Sequence, residues 1–453
     1  MKKTMLLTSL IAVAAMAVGT TGRVEFTGKT ESTFEKGTNK TEITHKFGEL
    51  KAETEVKVKE TGFSFGGTFK VKDIPVFTTK TGKDAPKFEL KKSLEDTNIW
   101  AKYELPEIKG VNSSLKATYK DLTKLNLEAD ANYMIKGIKV GINSNTSFPI
   151  ITEEKVDYGK VVESTHKIYA EAKELYMLKD VKANVVLTNT YNQIQPGAEA
   201  KEVLATAIKN VSGEVEATYD KVKDLKLTGK VNFKVNVADK GVEFKRSDIK
   251  LISDDNKALY IHSYDLIATY TGVKNLTLEA NPFVAHVGLK YEKTDEGKVK
   301  RDDTAIYGVA AKATYKMLDE KLTLTGKTLL SGATVVNVDE TKTKPEEIKT
   351  VNTCGHFMFG ANAKYDYKVT DKFTVSPEFD AMVKFDTNDT KKTVVVDKVD
   401  LTLTPKVSAE YKPVENLTLK GGIELPINFK GLEKDKFYKS TSVKTSLNVK
   451  YTW

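Results

Sequence analysis

The residues able to do covalent or metal chemistry are few in this chain and stand apart. The histidines, His45, His166, His262, His286 and His356, are far from one another, and none pairs at metal-ligand spacing. The single cysteine, Cys354, excludes an internal disulfide. It is either a leftover thiol or a small buried side chain, and the second reading is favoured. On a strand Cys354 and His356 share a face and could touch one metal, but two ligands make a weak site. His262 and Ser263 are adjacent, so on a strand they point to opposite faces and cannot form a nucleophile–base dyad. Phosphate loops, dinucleotide-binding glycine turns, His-Glu-x-x-His and paired Cys-x-x-Cys are all missing. The residues therefore predict a protein that is not an enzyme, with no catalytic, cofactor or metal site.

What the chain does carry is fixed charge. Lysine and arginine number 71 against 62 aspartates and glutamates, a net charge of +9. Arg23, Arg246 and Arg301 are the only arginines, so the basic character is nearly all lysine. The lysines are spread through alternating segments, which argues against a nucleic-acid patch. In 225–237 the set Leu225, Leu227, Gly229, Val231, Phe233, Val235 and Val237 faces one way on a strand, and Lys226, Thr228, Lys230, Asn232, Lys234 and Asn236 the other. The second face is too polar to pack as a core and reads as the wall of a water-filled lumen. Lys226, Lys230 and Lys234, then Lys444 and Lys450 near the C-terminus, are the predicted lumen-lining residues. Glu214 and Glu216 fall on a predicted inner face as well, so the expected anion preference is weak and fades with salt.

The elements that hold these charges are strands. In the last eleven residues Val443, Thr445, Leu447, Val449, Tyr451 and Trp453 share one face, and Lys444, Ser446, Asn448, Lys450 and Thr452 the other. Such a strand suits a barrel wall with lipid on one side, water on the other and an aromatic at headgroup level. At the other end, Met1-Lys2-Lys3 precedes an apolar run from Met5 to Ala17 ending Ala15-Met16-Ala17, the layout of a secretory signal peptide cleaved after Ala17. That run is too short for a membrane helix, which needs about 20 residues. The predicted organisation is a signal peptide, 1–17, and a single barrel domain, 18–453. Mean hydropathy is negative, which is compatible with a membrane barrel because only alternate residues meet lipid.

A repeat marks the turns. Tyr119, Tyr219, Tyr270, Tyr315, Tyr367 and Tyr411 each precede a short polar segment and then an apolar-x-apolar pair such as Leu225-x-Leu227 or Leu417-x-Leu419. Each reads as a strand ending on an aromatic, a tight turn and a new strand, with the six tyrosines forming a girdle at one periplasmic rim. Longer connections are predicted on the other side at Asn143–Lys160, Asn192–Ala205, Asp239–Asn256, Glu292–Asp303 and Asp339–Thr350. Lys136-Gly137 shifts the alternation phase and is read as a bulge or a hairpin turn. The expected fold is all-β: one antiparallel up-and-down transmembrane β-barrel with an even strand number. Counts of 18 or 20 fit best, with 16 as the smaller alternative.

The terminal strand, with its final aromatic, resembles that of Gram-negative outer-membrane β-barrels, and among them the chain is most similar to porins. Its lysine-rich, arginine-poor style resembles porins of the fusobacterial type. The resemblance implies an integral protein of the cell outer membrane, surrounded by its lipid and passing small hydrophilic solutes and ions by diffusion. It implies that the barrel-assembly machinery reads Leu447, Val449, Tyr451 and Trp453, and it admits a homotrimer; nucleic acid is not an expected partner. In similar barrels a long loop with a short helix narrows the channel. Here Ala198–Ile208 has helical spacing, with Glu199, Lys201 and Glu202 off its apolar stripe. The alternative is a plain surface helix followed by strand. The rival function is a non-conducting surface-binding barrel (an adhesin), and a more remote one is a barrel hydrolase.

Overall fold

The structure, a computed structural model, describes residues 20–35, 41–44, 48–58, 60–74, 97–120, 124–149, 161–192, 206–236, 260–293, 299–342, 349–388, 399–431 and 438–453. Their regular structure is entirely β, in one antiparallel sheet of twenty-three segments. Sequential segments pair, and Thr20–Glu35 also pairs with Tyr438–Thr452, from Arg23 opposite Thr452 to Glu35 opposite Ser440, which closes the sheet. Three positions in the wall are each filled by two segments. Thr41–Thr44 and Gly48–Lys57 both run along Thr20–Glu35. Lys349–Tyr365 and Tyr367–Thr370 both run along Phe373–Asn388. Leu417–Glu424 and Ile427–Lys430 both lie between Asp400–Val414 and Tyr438–Thr452. Pro426, which has no N–H to give the ladder, interrupts the last of these. The barrel thus has twenty strands, an even number and one of the two counts that fitted best.

One rim carries Thr20, Trp453 and tight turns such as Lys109-Gly110, Lys136-Gly137, Lys274-Asn275 and Glu415-Asn416. Lys136 and Gly137 have φ of 47° and 84°, and Lys109 and Gly110 have 52° and 82°. Two successive positive φ values make the type I′ turn, whose twist matches that of the flanking strands. Lys136-Gly137 is therefore a hairpin turn between Lys124–Ile135 and Ile138–Pro149, not a bulge. The strand ends that border the wider intervals, Pro149 and Val161, Asn192 and Thr206, Asn236 and Tyr260, lie at the other rim. Four of the five predicted long connections begin or end on strand residues, most deeply where Ile138–Pro149 continues past Asn143 and Val299–Met317 begins before Asp303. The polar ends of these strands stay paired: Ser144 Oγ lies 2.9 Å from His166 Nδ1, and Thr146 Oγ1 lies 3.0 Å from Ser164 Oγ.

The two faces of the wall differ. Val231, Phe233 and Val235 share the outer face with Ile168 and Ile99, which are 66% and 62% exposed. On Leu276–Lys293 the outer row Leu276, Leu278, Ala280, Pro282 and Val284 covers about 27 Å of strand at about 3.4 Å per residue. At a tilt near 40° that is about 20 Å of height, close to the roughly 25 Å apolar band of membrane barrels.

Adjacent strands are locked by aromatic rings laid over glycines. Gly66 faces Trp100, Gly141 faces Tyr169, Gly213 faces Phe233, Gly288 faces Tyr260 and Gly332 faces Tyr307, each as direct cross-strand partners. A Cβ at any of these glycines would press into the ring, so the pair needs both residue types. The closing seam uses the same device. Gly22 and Trp453 exchange backbone hydrogen bonds of 3.2 and 3.1 Å, and the Trp453 ring lies on the Gly22 Cα.

Candidate functional site: the inner wall

Register carries the predicted inner face from strand to strand. Glu214 and Glu216 stand opposite Asn232 and Lys230, and Lys230 stands opposite Asp265. Lys230 Nζ lies 3.1 Å from Glu214 Oε1 and 3.7 Å from Glu216 Oε2. Lys226, Lys230 and Lys234 share this face by alternation. Lys444 pairs with Glu424 at 3.9 Å, and Lys450 is flanked in register by Thr418 and Glu25. Elsewhere around the wall Lys70 meets Glu49 at 3.2 Å, Lys406 meets Glu378 at 3.3 Å and Lys420 meets Glu410 at 2.5 Å. Partly exposed pairs of this kind contribute at most about 1 kcal/mol each. Their consequence is a closely mixed field of both signs.

One network is denser. The Tyr169 hydroxyl donates to both Asp130 carboxylate oxygens, at 3.2 and 3.1 Å, while Asn132 donates to Asp130 at 2.9 Å. Lys139 and Lys167 each hold their ammonium 5.3 Å from the Tyr169 ring centroid. Asn143 donates to Glu128 at 2.8 Å. At the turn-bearing rim, the Lys179 ammonium, hydrogen-bonded at 2.8 Å, holds the Asp220 carboxyl below its ordinary pKa.

Another sector departs from the expected polar lining. Ile261, Phe283, Ala285, Val287, Ile306, Leu329 and Ala333 form a buried cluster, with Ala310, Cys354 and Met358 packed against it. Register places these on the inner face: Ile261 stands opposite Lys234, and Phe283 opposite Asp265. Cys354 is half-buried and packs against this cluster.

The other predicted residues sort as follows. Tyr219, Tyr270, Tyr315, Tyr367 and Tyr411 do stand beside turns on the rim of the chain ends. Tyr119 does not: Asn98–Ile108 ends at that rim, so Val111–Lys120 runs away from it and carries Tyr119 toward the opposite rim. The six tyrosines therefore do not form one girdle, because an aromatic–turn–leucine motif marks a hairpin without saying which way its strands point. Leu447, Val449 and Tyr451 share the outer face of the closing strand, and Tyr451 stacks on Trp453 with centroids 6.1 Å apart. Glu199, Lys201, Glu202 and Ala17 lie outside the described residues. Ala207 and Ile208, from the end of the helical stretch, belong to the strand Thr206–Tyr219.

Sequence distance hid the histidine contacts. His262 Nε2 lies 3.1 Å from His286 Nδ1 across a strand pair, and His356 Nδ1 lies 2.5 Å from Asp386 Oδ1. His262 and Ser263 do face opposite ways, toward Phe233 and Asn232 respectively. Cys354 and His356 share a face, but no group of three or more metal-ligating side chains occurs among the described residues.

No protein-family model matches this chain, and no curated protein matches it. Among solved structures it is similar to OccAB2 of Acinetobacter baumannii at 10% identity, covering 95% of this chain and 98% of that one, with a TM-score of 0.41. OccAB3 of the same organism gives 10% identity, 96% and 99% coverage and a TM-score of 0.40. OpdQ of Pseudomonas aeruginosa gives 10% identity, 96% and 99% coverage and a TM-score of 0.38. Scores this low leave the fold to rest on the chain's own ladder. That ladder describes a closed, antiparallel, up-and-down, twenty-strand β-barrel.

Proposed function

We propose that this chain is an integral outer-membrane protein whose barrel encloses a water-filled channel for passive diffusion of small hydrophilic solutes and ions. The observation that carries the reading is the charged inner face, continued in register from Glu25 and Lys51 through Glu214 and Lys230 to Lys420 and Lys450, behind an apolar outer face. Charges of both signs left partly exposed on a concave wall need water to solvate them. The chain does no covalent chemistry in this reading. The test is single-channel recording from the purified mature chain in planar bilayers. Ohmic steps that scale with KCl are expected. Folded, inserted protein that never conducts would overturn the reading in favour of the surface-binding barrel.

The same reading makes Leu447, Val449, Tyr451 and Trp453 the insertion signal, with export directed by 1–17. Deleting Trp453 removes the ring from Gly22 at the closing seam. The expected result is little heat-modifiable barrel in the outer membrane; normal insertion would contradict it.

A further inference from the structure

We propose that His262 and His286 form a two-histidine site for a divalent first-row transition metal ion on the outer face of the wall, where His286 follows the apolar row that ends at Val284. The two residues are direct cross-strand partners, and His262 Nε2 and His286 Nδ1 are 3.1 Å apart. Imidazole nitrogens bind Zn2+ at about 2.0–2.1 Å. Two such nitrogens are about 2.9 Å apart when they subtend a right angle at the metal and about 3.4 Å apart at the tetrahedral angle. The observed separation lies between these limits. The pair is thus spaced for square-planar, octahedral or tetrahedral binding without movement of the backbone.

The surroundings fix the site. Tyr260 packs edge-on against His286 with centroids 5.4 Å apart and against His262 at 6.2 Å. Its hydroxyl donates to Asp303 Oδ1 at 2.9 Å, which sets the ring that orients both imidazoles. The residue facing His286 on the next strand is Ala305, a small side chain that brings no polar group to the pair. Each neutral imidazole carries one proton. The proton now between the rings moves to a far ring nitrogen by tautomerisation, so both facing lone pairs become ligands with no change in net protonation. No third His, Cys, Asp or Glu completes a metal cluster among the described residues, so water fills the remaining positions. Among the described residues His166 and His356 have no second imidazole beside them, being bonded to Ser144 and Asp386.

The inference does not depend on channel activity and is tested apart from it. Tag-free protein folded in detergent is titrated with ZnCl2 by calorimetry and with CuCl2 by electron paramagnetic resonance. The Cu2+ spectrum of the unaltered protein is expected to show two coordinated nitrogens, with one tightly held ion per chain. H262Q and H286Q should each weaken binding by at least about tenfold while keeping the heat-modifiable band, and H166Q should change nothing. Affinity unchanged in both H262Q and H286Q would overturn the site and leave the pair a simple hydrogen bond. If either variant fails to fold, the unaltered protein still decides, because a spectrum with one nitrogen or none overturns it equally.

Discussion

Two sectors of this wall face the same interior and meet it with opposite chemistry. From Val111 to Asn236 the inner face is a lattice of Glu128, Asp130, Lys139, Lys167, Glu214, Glu216 and Lys230, held by cross-strand bonds and partly exposed. From Tyr260 to Asn388 the inner face carries the cluster around Val287, Ile306 and Leu329, which is almost completely buried. Alternation is the signature of one wet face and one dry face, and where both faces are dry it disappears. The run Pro282-Phe283-Val284-Ala285-His286-Val287 shows this, since its inner and outer residues are alike apolar apart from His286. In the proposed channel the aqueous path therefore runs along the charged sector.

The largest effect separating the two sectors should come from Leu329→Ala. Leu329 is 1% exposed, and truncation there should cost about 2–5 kcal/mol in reversible urea unfolding. Lys234→Gln in the other sector should stay within about 0.5 kcal/mol. Equal losses would erase the distinction. Next, Val231→Lys on the outer face of the charged sector should cost about 2–4 kcal/mol near the bilayer midplane. A smaller cost than that of Lys234→Gln, one face over, would invert the assignment of lipid and water.

The glycine–aromatic pairs predict a third, smaller effect. Gly141→Val drives a side chain into the Tyr169 ring and should cost about 1–3 kcal/mol. Gly229→Ala, with no atom within 4 Å of the added Cβ, should be close to neutral. Glu216→Gln is also expected to cost little, below about 1 kcal/mol, because Lys230 keeps Glu214 at 3.1 Å. Its reversal potential under a KCl gradient should nonetheless move toward anions. A move toward cations would show that other charges set the field.

The barrel was legible because its cues are local. The closing strand, the polar turns and the two-residue period in Leu225–Asn236 each follow from lipid on one side and water on the other. What escaped depends on register and direction. Tyr119 carries the same motif as Tyr219, but the hairpin at Lys109-Gly110 ahead of it reverses the strand that bears it. His262 and His286 could be paired by counting outward from Tyr270 and Leu278. That count needs the register of the Lys274-Asn275 turn, where a shift between Tyr270 and Val273 breaks the simple mirror. The buried inner cluster was hidden for a third reason. Apolar residues on consecutive positions do not say which neighbours will cover them.

The most direct test of a wet inner face is chemical. In a Cys354→Ser background, cysteines placed singly at Lys234 and at Val235 would be exposed to a charged, membrane-impermeant thiol reagent during single-channel recording. The expected result is a stepwise fall in conductance for the Lys234 variant and an unchanged trace for Val235. No change at Lys234, or the same block at both positions, would contradict an aqueous lumen behind a lipid-facing wall.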